Sequence, residues 1–133
     1  MIELASIARQ LVDESLREAV KQNLPVAVCV VDTGGHLVMH HRMSGVSYMA
    51  NDVVRRKAVT ACNFRLPTHI FYSILQQQPA LAFAITSQPD VLAVAGGMPI
   101  IVDGTCIGGF GVGGGNFEQD QAFAEKVMQL LAG

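Results

Sequence analysis

The sequence predicts an α+β domain in which helices pack on a central antiparallel β-sheet. Three observations predict it. Asp103-Gly104 joins the apolar runs Met98 to Val102 and Cys106 to Val112, and Asp-Gly between two such runs is the strongest short-range signal for a two-residue hairpin. Asp32-Thr33-Gly34-Gly35 is turn chemistry between two further strand-like runs. Apolar residues at three- and four-residue intervals then mark helices at both ends and in the middle of the chain. Strands joined by hairpins lie antiparallel, which fixes the class.

The first helix is predicted from Ile2 to Lys21. Leu4, Ile7, Ala8, Leu11, Val12, Leu16, Ala19 and Val20 form its apolar stripe, with Asp13 and Arg17 paired on the outer face. Asn23 and Pro25 end it. Pro25 to Val31 is so uniformly apolar that it reads as a strand covered on both faces. Leu37 to Arg42 returns, and alternation puts Leu37, Met39 and His41 on one face and Val38, His40 and Arg42 on the other. Ser44-Gly45 breaks the chain, and a second helix follows from Ser47 to Phe64 with Met49, Ala50, Val53, Val54, Ala58 and Ala61 inward. Arg55, Arg56 and Lys57 point three ways, with Lys57 beside the apolar stripe. Thr68 is placed to cap a short helix through Leu75, burying Ile70, Phe71 and Ile74. Ala80 to Thr86 suits strand or helix, with Phe83 and Ile85 favouring strand. Val91 to Ala95 reads as a short strand or extended segment, and a closing helix from Phe117 to Leu131 buries Phe117, Ala124, Val127, Met128 and Leu131.

Gly96 to Phe123 is the stretch around which the chain is organised. Gly108, Gly109 and Gly111 weaken a strand in isolation and mark a bulge or a close approach of ligand or backbone. Gly113, Gly114 and Gly115 form a turn, after which Asn116 caps a helix with Glu118, Gln119 and Asp120 in its first turn. Strand, glycines and helix start suggest an anion cradle. Glu118 and Asp120 already place negative charge there and oppose a second anion. No P-loop or Rossmann fingerprint is present. The competing reading is that the glycines let a helix pack closely on the sheet.

A length of 133 residues suits one domain, 1–133, with no repeat and no linker. Half the residues are hydrophobic and 15% are charged, against about a quarter charged in ordinary soluble domains. That apolar surplus predicts a homo-oligomer. A net charge of -2 without a basic cluster argues against nucleic acid. The N-terminus lacks a signal-peptide pattern and no apolar run is long enough for a bilayer, which predicts a cytoplasmic protein with no membrane partner. Cys29, Cys62 and Cys106, without CxxC, read as reduced, buried thiols rather than a zinc or redox site.

Four histidines, His36, His40, His41 and His69, match no zinc spacing and no HExxH. Any one of them would suffice as a single axial ligand to a tetrapyrrole iron, and the sequence does not choose among them or against plain surface imidazoles. No Ser or Cys sits in a nucleophile elbow. Lys57 with Glu118 and Asp120 could serve acid–base chemistry or hold a cation, although helix capping explains both acids.

An ordered set of segments then resembles the GlcG and HbpS family of heme-binding and glycolate-utilisation proteins, a domain also found at the C-terminus of the propanediol-utilisation corrinoid adenosyltransferase. The segments are VVDTGG from Val30 to Gly35, Arg42 to Gly45, Lys57-Ala58 with Thr60-Ala61 and Phe64, Pro67-Thr68, Gly96-Gly97 with Pro99-Ile100, and IGGFGVGGG with Glu118-Gln119-Asp120. They span nearly the whole chain. The family reads RxDG and GVSGG where this chain has Ser44 and Gly113.

The resemblance implies a profilin-like fold, a homo-oligomer (dimer, tetramer or octamer), and heme or corrinoid binding, with no catalytic residue common to all members. It implies a ligand site near Arg42, Lys57, Thr60, Thr68, Gly97, Gly111, Gly113, Gly114, Glu118 and Asp120. The first-helix histidine used by heme-binding relatives has no counterpart here. The expected function is an accessory tetrapyrrole-binding protein linked to cobalamin-dependent diol or glycerol, or glycolate, metabolism. Two alternatives stand beside it. One is an enzyme on a small carboxylate or aldehyde with Lys57 and Asp120 as catalytic residues; the other is a purely structural assembly factor.

Overall fold

The computed structural model describes residues 3–132, so the predicted helix start at Ile2 lies outside the described residues. Nine elements follow in order. They are α1 (Leu4–Gln22), β1 (Ala27–Asp32), β2 (Leu37–Arg42), α2 (Ala50–Phe64), α3 (Thr68–Gln76), α4 (Pro79–Ile85), β3 (Gly97–Val102), β4 (Thr105–Gly113) and α5 (Phe117–Ala132). The strands form one antiparallel sheet in the order β2-β1-β4-β3. This is the expected α+β architecture.

The sheet is covered on both faces because β1 is apolar at every position from Ala27 to Val31. Val26, Val28 and Val30 meet Phe110, Val112, Leu11, Phe123 and Val127 under α1 and α5. Ala27, Cys29 and Val31 meet Val54 and Ala58 of α2 on the opposite face. Each large side chain so buried contributes about 1.5–3 kcal/mol of transfer free energy.

Local chemistry sets the boundaries. Asn23 ends α1 in the left-handed region at φ 52°, its N–H reaching Ala19 and Val20. Asp103 and Gly104 both take positive φ, 51° and 79°, as a type I′ turn demands. Asn116 Oδ1 accepts from Gln119 N, and Gln119 Oε1 accepts from Asn116 N, both at 2.8 Å, a reciprocal capping box.

Several expectations are corrected. Arg17 pairs with Glu14 at 2.6 Å rather than with Asp13, the i,i+3 neighbour winning over i,i+4. Val20 is exposed, so the α1 stripe is narrower than its apolar positions. A register shift between Val30 and Val31 breaks the alternation of β2. Val38 and Met39 therefore both pack under α1, while Leu37 joins His40 on the α2 side. His40 and His41 do lie on opposite faces, paired with Cys29 and Val28 respectively. The second helix begins at Ala50, because Gly45 at φ 94° and the turns over Ser47 to Met49 delay it, and Met49 is exposed.

Thr68 does not cap α3. It occupies the first helical position, and its Oγ1 accepts from Gly97 N at 2.8 Å. Ile70 is exposed rather than inward. Ala80 to Thr86 is not a strand. Pro79 at the first position of α4 preorganises a helix, and the run of Ala and Leu sustains it. Val91 to Ala95 is not a strand but an irregular segment, bent at Val94 and Ala95 and pinned to α2 by Arg56 donating to Val91 O at 2.9 Å and Leu92 N donating to Thr60 Oγ1 at 2.8 Å.

Candidate functional site

The glycines of β4 do two different jobs. At Gly109 a Cβ would collide with the Ala58 carbonyl, and at Gly111 with the Val54 carbonyl. These positions let α2 lie against the sheet backbone, so the close-packing reading holds for this part of the stretch. A Cβ at Gly97 would likewise sit 2.5 Å from Lys57 O. Gly113 ends the covered strand under Val54, and Gly114 and Gly115 follow it into the turn. All three line a cleft of about 470 Å³ together with Pro25, Val46, Ala50, Val53, Lys57, Phe117 and Asp120.

At the floor of this cleft Lys57 Nζ donates to Asp120 Oδ2 at 2.9 Å and to Val112 O at 2.9 Å. Lys57 is 1% exposed and Asp120 2%. Asp120 Oδ1 also accepts from Gly115 N at 2.9 Å, so the carboxylate caps the glycine turn from inside. Burial pushes the Lys57 ammonium below its ordinary value and the Asp120 carboxyl above its own, and the ion pair opposes both shifts. The N–H groups of Gly115 and Asn116 are thus satisfied by Asp120 and Gln119. This is internal capping, and it takes up amides that an anion cradle would need. The Phe117 ring centroid lies 5.8 Å from Lys57 Nζ, within cation–π range.

Phe117 is 59% exposed, not buried, because it opens α5 ahead of the turn that packs on the sheet. It borders the cleft on one side. On the other it borders two shallow depressions, of about 240 and 330 Å³, both also lined by His69 and Ala95. Tyr72 lines the first, and Glu118, Gln121, Ala122 and Glu125 the second.

Of the sequence-predicted site residues, Lys57, Gly113, Gly114 and Asp120 meet at the cleft, and Glu118 lines the neighbouring depression. Arg42, Thr60, Thr68, Gly97 and Gly111 line neither. Arg42 Nη1 donates to Val46 O at 2.6 Å, and Thr60 and Thr68 accept from Leu92 N and Gly97 N at 2.8 Å each. They hold the cleft's surroundings in place. The histidines separate equally clearly. His36 Nδ1 sits 3.3 Å from Asp32 Oδ1, His40 Nε2 is bonded to Asn51 Oδ1 at 2.7 Å, and His41 is exposed on β2. Only His69 lines depressions shared with Phe117, and its Nδ1 is buried with no hydrogen-bond partner among the described residues. Among the described residues no three His, Cys, Asp or Glu side chains converge as a metal site. Sequence reasoning missed Phe117 as a surface residue; its place directly after the capping Asn116 was the available signal.

Fold and cleft together define a single-sheet α+β protein with one helical layer on one face and two helices on the other. The chain belongs to the HbpS-like family, whose model, described as haem degrading protein HbpS-like, matches residues 5–129. It is 34% identical over 126 residues to a 15.0 kDa protein of the dhaT-dhaS intergenic region of Citrobacter freundii, covering 94% of this chain and 89% of that one. It is 31% identical over 124 residues to the corrinoid adenosyltransferase PduO of Salmonella typhimurium, covering 92% of this chain but 37% of PduO. Among solved structures, a PduOC:heme complex superposes with a TM-score of 0.82 at 28% identity, covering 92% of this chain and 89% of that one. No helix among the described residues is long and apolar enough to cross a membrane.

Proposed function

We propose that this chain is an accessory protein that binds a tetrapyrrole, heme first and a corrinoid as the alternative, on the surface around Phe117. One observation carries the reading: an exposed phenylalanine stands between an apolar cleft and an imidazole with an unsatisfied ring nitrogen. A flat, largely apolar macrocycle requires an aromatic face to lie on and, for iron, one ring nitrogen. The residues fit that requirement. Of the four histidines only His69 lines depressions that Phe117 also lines, and turning its ring costs no protein hydrogen bond. Bound heme would supply the redox-active iron; the chain would supply His69 to hold the iron, Phe117 as an aromatic surface and the Lys57–Asp120 pair at the cleft floor. The heme complex of a structural neighbour and the corrinoid adenosyltransferase among the relatives support this class of ligand.

Titrating the purified protein with hemin tests the reading. A shifted, saturable Soret band at micromolar hemin that His69→Ala abolishes is the expected result. The absence of both a Soret shift with hemin and a corrin-band shift with cobinamide would overturn it. The exposed Val20, Leu37, Tyr48, Phe83 and Leu130 support association of several copies, a dimer, tetramer or octamer, which light scattering would read directly.

A second reading has its own observation: Lys57 and Asp120, the acid–base candidates for a small carboxylate or aldehyde, both line the cleft. It requires their ion pair to open for substrate. Unchanged turnover of a found substrate in Asp120→Asn would remove it.

A further inference from the structure

Cys62 and Cys106 are 44 positions apart in sequence, yet their sulfurs lie 3.9 Å apart. Both are free thiols. Cys62 sits in the last turn of α2, three residues before Arg65 ends that helix in the left-handed region at φ 58°. Cys106 is the second residue of β4, opposite the register shift between Ile100 and Ile101. A helix end and an irregular ladder are places where backbone yields with little loss of hydrogen bonding. Bringing the sulfurs from 3.9 Å to the roughly 2.05 Å of a disulfide therefore falls on two deformable segments.

We propose that Cys62 and Cys106 form an oxidative modification site, a dithiol that a peroxide converts to an intramolecular disulfide tying the end of α2 to β4. Access and order of reaction follow from the surroundings. Cys106 is half-buried, and its thiol has only weak acceptors, Gly108 O at 3.4 Å, Cys62 O at 3.7 Å and the Cys62 sulfur at 3.9 Å. Cys62 is 7% exposed and lines a depression of about 130 Å³ beside Asp32 and Asp90. Burial first, and then the neighbouring Cys106 and Asp32, push the Cys62 thiol up to about 11. A thiol held that high is a poor first nucleophile. Cys106 sulfur therefore attacks the peroxide, breaking the O–O bond and releasing one water, to give a sulfenic acid. Cys62 sulfur then attacks the sulfenic sulfur, breaking the S–O bond and releasing a second water. Two thiols and one hydrogen peroxide give one disulfide and two waters. Cys29 is wholly buried, pushed up to about 12, and serves as an internal control.

The test is native treatment of the protein with hydrogen peroxide, then alkylation in denaturant and mass analysis. The expected result is loss of two of the three thiols, a mass lower by two hydrogens, a linked pair of peptides carrying Cys62 and Cys106, and full recovery with dithiothreitol. Cys29→Ser retains the link. Cys62→Ser leaves Cys106 as a sulfenic acid that dimedone captures. Three surviving thiols at a peroxide level that oxidises free cysteine would overturn the proposal. So would Cys106 oxidised beyond sulfenic acid with Cys62 still free, or links found only between chains. Should Cys62→Ser fail to fold, the peptide map of the unaltered protein decides alone.

Discussion

Lys57 Nζ and Asp120 Oδ2, 63 positions apart, close a 2.9 Å ion pair that water hardly reaches. The pair joins α2 to the first turn of α5 and, through Asp120 Oδ1 and Gly115 N, to the glycine turn. Removing one member leaves the other charge buried, which costs about 3–5 kcal/mol, whereas apolar replacement of both is often neutral. Lys57→Met and Asp120→Leu should each lose stability on that scale, and the double variant should recover most of it. Denaturant unfolding of the four proteins measures the coupling.

Gly111→Ala tests the packing reading of β4. Its Cβ would enter the Val54 carbonyl, a backbone group that cannot swing aside, so α2 must lift from the sheet. Overpacking of this kind costs about 1–3 kcal/mol. Gly113→Ala meets the Val54 side chain at 2.9 Å instead and should cost less. Equal losses in a thermal melt would contradict the distinction drawn here between the two halves of the glycine stretch.

These cases show what the sequence made legible. The Asp103-Gly104 turn, the Asn116–Gln119 box and the two-faced burial of β1 were readable because each is fixed by residues adjacent in the chain. The role of Gly109 and Gly111 was not, since a strand glycine looks the same under a helix as under a ligand. Only the placement of α2 decides. Thr60 and Thr68 were expected near a ligand site from the resemblance alone; they clamp a connecting segment and β3, because helix-borne hydroxyls also satisfy backbone that lies over them. Arg55, Arg56 and Lys57 were readable as diverging, and they bind Asp90, Val91 and Asp120 respectively.

Asp32 gives a pH signature. Backbone N–H bonds from His36 and Gly34, both 2.9 Å to Oδ1, hold its carboxyl below the ordinary carboxylate value. A depressed folded-state value means stability that is present above about pH 3.8 and lost as pH falls through the folded value. Asp32→Asn keeps an acceptor oxygen but removes this titration. Its stability deficit should therefore shrink as pH falls below about 4, as denaturant unfolding across that range will record.

Helix α4 and the loop to Asp90 should open first. No residue of α4 is buried and Phe83 is 84% exposed, so little apolar contact opposes fraying. Hydrogen exchange should be fastest over residues 79–90 and slow again at Leu92, whose N–H is held by Thr60. Thr60→Val should speed exchange at Leu92 by at least tenfold, the effect of losing a bond worth about 1.4 kcal/mol.

Phe117→Ala separates the proposed binding surface from the buried pair beneath it. The ring is 59% exposed, so its removal should change stability little. Losing an aromatic platform worth about 1.4 kcal/mol weakens a stacked ligand about tenfold. Hemin titration should accordingly show a tenfold higher dissociation constant with the Soret position kept, because iron ligation by His69 is untouched. His69→Ala should instead remove the Soret shift while leaving an apolar association. If Phe117→Ala binds hemin like the unaltered protein, the macrocycle does not lie on this face.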